Sequence, residues 1–419
     1  MAKRDIFFGT GCTLLDLVVG GSRGRMGYPA GRFVNIVGDK SAGKSFLCTE
    51  LIAAAYHSLP KKQFKWVYDD CEAGYSFNTM DMYGFDIMGD AEPSATVEEA
   101  FVNIANFAES LKGDQIGIYV LDSLDGLTSD EQDEQDEQAA ARIKTVNAGK
   151  AYEKGTYGMG KPKYLSREFF PQLCSMIQDK NILVVIVSQV RENIDPFSFE
   201  KYKRNGGKAM DFYAHTVLWL ASLKKIKKKD RPIGVVVKAK TTKSKTPRPF
   251  REGVFSILFD YGVDNIGSNL DYLYELRTPG GDLSPASKAV AWGGGEAPKP
   301  SLAKIKKWMK EFIVKAERAP NGKRVSAHDE FEKTGERATL ENIFDFLDSY
   351  GNPVSLKTAY EKEFGGEGNI VLPREKMIKH IEENGLDGEL AQMVAGKWEE
   401  IEGSISSQRK KRYATPPEV

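Results

Sequence analysis

From Phe33 onward, short apolar runs alternate with amphipathic stretches, a rhythm of strand followed by helix. Phe33-Val34-Asn35-Ile36-Val37, Phe64-Lys65-Trp66-Val67-Tyr68, Ile116 to Leu121 and Ile182 to Val187 predict four strands. The last is almost continuously apolar, which places it in the middle of a parallel sheet, where both faces are covered. Between them, Leu47, Leu51 and Ala55 share one helical face, and Val97, Phe101, Ile104, Ala108 and Leu111 form a second stripe. Thr96 and Glu99 fit a capping box at the start of that second helix. Residues 164–179 read as a helix interrupted by Pro171. Val217 to Leu223, Ile233 to Lys240 and Val254 to Phe259 then follow with short links, as strands joined by hairpins at a sheet edge. The pattern implies an α/β fold: a mixed, mostly parallel sheet flanked by helices.

The pattern changes near residues 278–300. Thr278-Pro279-Gly280-Gly281 and Gly293-Gly294-Gly295, with Pro298 and Pro300, are linker chemistry. Beyond them, residues 301–317, 339–349, 354–364, 373–384 and 388–402 predict charged amphipathic helices. The expected division is a short N-terminal segment over 1–32, a core over 33–278 and a linker over 279–300. A helical C-terminal domain over 301–405 and a basic tail over 406–419, expected to be disordered, complete it.

Charge and cysteine content narrow the classes. Lys+Arg and Asp+Glu are both 59 in 419 residues, so any nucleic-acid contact must come from local patches. The four cysteines contain no C-x-x-C pair and the four histidines no ligand spacing, which suits a reduced, cytoplasmic protein without structural zinc. No run approaches the roughly 18 apolar residues of a membrane span.

Candidate chemistry centres on Gly38-Asp39-Lys40-Ser41-Ala42-Gly43-Lys44-Ser45, which fits G-x-x-x-x-G-K-[ST] between a predicted strand and a predicted helix. Such a loop turns backbone N–H groups onto phosphate oxygens, and the helix N-terminus adds positive potential. Lys44 is expected on the β- and γ-phosphates and the Ser45 hydroxyl on Mg²⁺, so ATP and Mg²⁺ are the expected cofactors. Three polar strand ends add to this. Asp122 is placed to help hold Mg²⁺, Glu72 to activate a water, and Gln189 to sense the γ-phosphate.

On these residues the chain resembles the RecA family of recombinases, and within it the phage-type members. The resemblance covers about residues 7–290. Gly9-Thr10-Gly11 with Leu14-Leu15-Asp16 is similar to the family's T-G-x-x-x-L-D segment. Glu72-Ala73-Gly74, Gly84-Phe85-Asp86, Leu121-Asp122-Ser123 and Val187-Ser188-Gln189-Val190-Arg191 resemble further family blocks. Residues 206–214, Gly-Gly-Lys-Ala-Met-Asp-Phe-Tyr-Ala, are similar to G-G-N-A-L-K-F-Y-A.

The resemblance implies a RecA-type P-loop ATPase core that forms filaments on single-stranded DNA, pairs it with homologous duplex and exchanges strands. A single-strand-binding protein and a loader are implied partners. It makes Glu72 the hydrolytic carboxylate and Gln189 the link to a DNA loop containing Arg191, Phe197, Phe199, Lys201, Tyr202, Lys203, Arg204, Gly206 and Gly207. Basic residues interleaved with aromatics suit single-strand binding. A first DNA loop between about Gly149 and Ser166 would use Lys161 and Lys163, with Arg167 beside it. ATP would lie between subunits, with two lysines of the neighbour on its phosphates: Lys243 and Lys245 in the preferred register, Lys238 and Lys240 in the other. Phe259 falls where the family has an aromatic near adenine.

Three features depart from the family. The helix and strand usually found ahead of T-G-x-x-x-L-D are missing or replaced, and the C-terminal region is the expected substitute. Residues 130–138 are a threefold D-E-Q repeat, and the tail carries Arg409-Lys410-Lys411-Arg412. A ring-forming DNA motor of the same fold, or a scaffold that binds ATP without turnover, stands as the alternative.

Overall fold

The computed structural model describes residues 6–89, 92–129, 160–192, 202–204, 207–246, 248–292 and 370–407. The D-E-Q repeat, residues 408–419 of the basic tail, residues 149–159 and the stretches 301–317, 339–349 and 354–364 lie outside the described residues. The chain divides into one unit of Met1–Ser284 with Ile381–Val419, and a second of Pro285–His380.

The first unit opens with β1 (Phe7–Phe8), α1 (Thr13–Gly20) and β2 (Tyr28–Pro29), β1 and β2 pairing antiparallel. Every residue of α1 is buried, so its apolar run is core and not a surface stripe. Next come β3 (Arg32–Gly38), α2 (Lys44–Ser58), β4 (Phe64–Asp70), α3 (Thr79–Tyr83), α4 (Val97–Ser110) and β5 (Ile116–Asp122). The capping box of α4 forms as predicted: Glu99 N donates to Thr96 Oγ1 at 3.2 Å, and Thr96 N to Glu99 Oε2 at 3.3 Å.

After residue 160 come α5 (Gly160–Tyr164), a π-helical turn over Leu165–Phe169 and α6 (Phe170–Ile177). The turn ends just ahead of Pro171, which sits in the first turn of α6, where a missing N–H costs least. Then follow β6 (Ile182–Glu192), β7 (Tyr202–Arg204), α7 (Gly207–Tyr213), β8 (Thr216–Lys228), β9 (Arg231–Ser244), β10 (Glu252–Leu258), β11 (Gly262–Asp264) and α8 (Asn265–Leu273).

The sheet runs β11-β10-β9-β8-β3-β6-β5-β4, with β7 paired to β6 beyond the main path. The neighbours β8-β3-β6-β5-β4 are parallel, and β8-β9-β10-β11 is antiparallel. As its apolar run predicts, β6 is central, and Ile182 through Ser188 are fully buried. One apolar layer, including Phe33, Ile104, Tyr119, Phe169, Phe170 and Ile186, packs α4 and α6 against this sheet.

The second unit contains β12 (Val290–Trp292) paired antiparallel with β13 (Ile370–Leu372), and Trp292 is buried. Helix α9 (Arg374–Asn384) leads out of it, and α10 (Asp387–Ser404) follows. The pattern expected α10 in a separate helical domain over 301–405, but it docks on α1 and α8 of the first unit. Leu390, Val394 and Trp398 are buried there. Lys397 Nζ reaches the open carbonyl of Leu273 at 2.9 Å, a cation at a helix C-terminus. Glu402 takes Arg248 Nη1 at 3.0 Å and Arg251 Nε at 3.3 Å.

Candidate nucleotide and DNA-coupling site

The P-loop links β3 to α2, and Gly43 caps the helix at φ 88°. A side chain at Gly43 would meet Ile257 Cδ1 at 2.6 Å, so both the left-handed backbone and the space demand glycine. Lys44 Nζ donates to the loop's own Asp39 O at 2.9 Å. Burial pushes the Lys44 ammonium down from its ordinary range, while Asp122, Glu72, Asp39 and Asp125 hold it up. That environment keeps a desolvated cation over a cradle of backbone donors, where an anionic ligand is favoured.

The register brings the acidic groups to the same end of the sheet. Asp70 pairs with Asp122, and Gly38 with Gln189. Asp122 is 8% exposed and accepts from Tyr68 Oη at 2.7 Å. Burial raises its carboxyl, and hydrogen bonds from Ser45 and Tyr68 oppose the rise. Ser45 and Asp122 are hard oxygen donors beside a phosphate cradle, the set that suits Mg²⁺ with water and phosphate completing its shell. Among the described residues no group of three or more His, Cys, Asp or Glu could hold a metal alone.

Glu72, just past β4, is exposed, and its Oε1 accepts from Gln189 Nε2 at 2.6 Å and from Ser123 Oγ. The Gln189 backbone N–H donates to Asp125 Oδ2 at 2.7 Å. One carboxylate is thus hydrogen-bonded to the strand that continues past Gln189 into the β6–β7 hairpin.

A family model described as the RecA N-terminal domain matches residues 5–264. The chain belongs to the RecA family. It is 27% identical over 297 residues to Protein RecA of Campylobacter jejuni, covering 68% of this chain and 73% of that protein. Protein RecA of Acinetobacter baylyi is 26% identical over 283 residues, covering 68% and 71%. A crystal structure of the RadB recombinase aligns at 17% identity and a TM-score of 0.41, over 61% of this chain and 98% of that one.

Within this RecA core, the candidate residues fall into three groups. Gly38 to Ser45, Glu72, Asp122 and Gln189 meet at one end of the sheet. Phe259 is 51% exposed at the same end, two residues beyond the Ile257 that abuts Gly43. Lys243 and Lys245 lie at the opposite end, because β9 runs antiparallel to β8 and Lys243 pairs with Val217. Lys243 Nζ donates to the α7 carbonyls Asp211 O and, at 2.6 Å, Phe212 O. Lys238 and Lys240 face Glu252 at 2.8 and 4.0 Å.

The DNA-loop candidates divide. Arg191, Tyr202 and Lys203 lie in the β6–β7 hairpin, where Arg191 pairs with Lys203. Gly207 opens α7 at φ 48°. Phe197, Phe199, Lys201 and Gly206 lie outside the described residues. Lys163 and Arg167 are exposed. Lys161 Nζ instead donates to Leu124 O at 2.8 Å and Leu127 O at 2.5 Å, in the loop after Asp122. The Arg204 side chain is 5% exposed and joins Asn35 Oδ1 of β3 to Asp211 of α7. Sequence reasoning did not single out Tyr68, Ser123, Asp125 or Asn35. The acid three residues after Asp122 was the available signal for Asp125; the others needed the register.

Proposed function

We propose that this chain is an ATP-dependent DNA recombinase that polymerises on single-stranded DNA, pairs it with homologous duplex and exchanges strands, hydrolysing ATP between subunits. The observation that carries the reading is the Glu72–Gln189 hydrogen bond, since the carboxylate suited to activating water is tied to the strand leading into the second DNA loop. Mg²⁺, when bound with ATP, supplies charge neutralisation between the phosphates. Ser45 and Asp122 are the residues that would hold it. Lys44 and the N–H groups of residues 38–45 hold and orient the phosphates. Glu72 Oε1 orients water once a γ-phosphate draws the Gln189 amide away, and takes the water's proton. Release of Gln189 then reports nucleotide state to the hairpin, and DNA in that hairpin biases the same switch in return. Lys243 and Lys245, remote from their own P-loop, act on the nucleotide of a neighbour.

The test is Glu72→Gln, measured for ATP turnover with and without single-stranded DNA beside negative-stain images. Turnover should fall about 10²-fold or more, as for loss of a general base, with nucleotide affinity changed less than roughly twofold. Unchanged turnover removes Glu72 from the mechanism, and closed rings in place of open filaments on DNA would replace the recombinase with a ring motor.

A further inference from the structure

Strand β5 ends at Asp122, and its pairing with β6 stops at Leu121 opposite Ile186. On the other side of β6, β3 stays paired as far as Gly38 opposite Gln189. Residues 123–127 take over where β5 leaves off. Leu124 N donates to Val187 O at 3.0 Å, and Asp125 Oδ2 accepts the Gln189 N–H at 2.7 Å. A carboxylate thus stands in for the strand carbonyl at the last step of the ladder. Gly126 N closes a turn on Ser123 O at 3.0 Å, and a Cβ on Gly126 would meet Cys71 O at 2.9 Å, so the loop lies tight against the end of β4. Beyond it, Thr128 N donates to Ala95 O at 3.1 Å and Thr128 O accepts Val97 N at 3.0 Å, at the start of α4.

Functional contacts converge on this loop. Ser123 Oγ donates to Glu72 Oε1, the same oxygen that accepts from Gln189 Nε2. Asp125 holds the Gln189 backbone. Lys161 Nζ, at the start of α5, donates to Leu124 O at 2.8 Å and Leu127 O at 2.5 Å. An ammonium has three donors and no acceptor, and two of them go to this backbone. Lys161 belongs to the first DNA-loop candidate, and Gln189 leads into the second. Close-packed contacts transmit displacement, so a shift of Lys161 moves the loop, Asp125 and the Gln189 N–H with it.

We propose that residues 123–127 form a bridge joining the two DNA-loop segments to Glu72, with Lys161 and Asp125 as its positioning residues. Lys161 fixes the loop and Asp125 fixes Gln189, so DNA on one segment biases the other and the carboxylate together. The part played by DNA rests on the recombinase reading above; the link from Lys161 to Gln189 does not.

Lys161→Met keeps the stem and removes the donors, and Asp125→Ala removes the acceptor. Amide hydrogen exchange in the full chain, without nucleotide or DNA, reads the link directly. Lys161→Met should speed exchange of the Gln189 N–H about tenfold or more, the scale of one lost charge-assisted bond, and Lys161→Arg should restore most of the protection. Unchanged Gln189 exchange in Lys161→Met would overturn the bridge. The functional arm measures ATP turnover with and without oligothymidylate. Each single variant should cut DNA stimulation, the ratio of the two rates at saturating DNA, about tenfold. The double variant should fall no further than the worse single, because both act through one loop. A fall near the product of the two singles refutes a shared path.

The salt dependence of oligothymidylate affinity separates positioning from contact. Lys161→Met should leave the slope of log affinity on log salt as in the parent, whereas loss of a phosphate contact lowers it by about 0.7. That lower slope with stimulation intact makes Lys161 a DNA cation and removes it from the bridge. If the variants do not fold, the parent decides. A non-hydrolysable ATP analogue should alter exchange at Gln189 and over residues 163–169 together, and a change at Gln189 that does not extend to that stretch refutes the coupling. A parent whose turnover ignores DNA would sink the recombinase reading and leave the nucleotide-free exchange result standing.

Discussion

Asp16 allows a quantitative test of how the N-terminal part of the core is held. It lies in the first turn of α1, is 8% exposed, and its Oδ1 accepts the Thr10 N–H at 2.7 Å. Burial pushes its carboxyl up to about 7 from an ordinary 3.8, against the opposing hydrogen bonds from Thr10. The gap is about three pH units, or roughly 4 kcal/mol at about 1.36 kcal/mol per unit, an upper figure for the cost of keeping it ionised. The folded carboxyl holds its proton more tightly than the unfolded one. The folded state therefore binds extra proton between about pH 4 and 7, and stability from this group falls as pH rises through that window. Asp16→Asn keeps the acceptor for Thr10 and removes the charge. Urea unfolding at pH 8 should show the variant more stable by about 2–4 kcal/mol, and the advantage should shrink by about 2.5 kcal/mol at pH 5. A variant equally stabilised at both pH values, or destabilised at pH 8, would refute the reasoning, because the cost of burying an ionised carboxylate would then not govern this site.

Two further outcomes follow from single hydrogen bonds. Tyr68→Phe removes the 2.7 Å bond to Asp122 without opening a cavity; it should cost about 1.5–3 kcal/mol, the range for a bond to a charged group, and raise the Mg²⁺ concentration needed for nucleotide binding in a fluorescence titration. Thr96→Ala removes the cap of α4 and should lower unfolding free energy by about 0.5–2 kcal/mol with unchanged nucleotide affinity, whereas Thr96→Ser should restore most of it.

Strands β5 and β6 were legible because their burial is on both faces, which writes itself as unbroken apolar sequence. The P-loop and the α4 capping box were legible because each depends on residues a few positions apart. What stayed hidden depends on distant partners. Asp69 reads as one more acid beside Glu72, yet its Oδ1 accepts Ser94 N at 2.8 Å and its Oδ2 accepts Tyr119 Oη at 2.7 Å. Strand alternation places Asp69 inward, and no local pattern names those two partners. Arg204 reads as a DNA cation for the same reason: its loop is basic and aromatic, and only the fold brings Asn35 and Asp211 to it.

Those contacts bear on mechanism. Asn35 also donates to Ser188 Oγ at 2.9 Å, next to Gln189 in β6. Arg204 therefore joins the hairpin base to the strand feeding the P-loop, and to the helix whose carbonyls Lys243 holds. A loop cation spent on phosphate would add affinity for DNA alone. We propose that the same cation, buried between β3 and α7, couples movement of the hairpin to both elements.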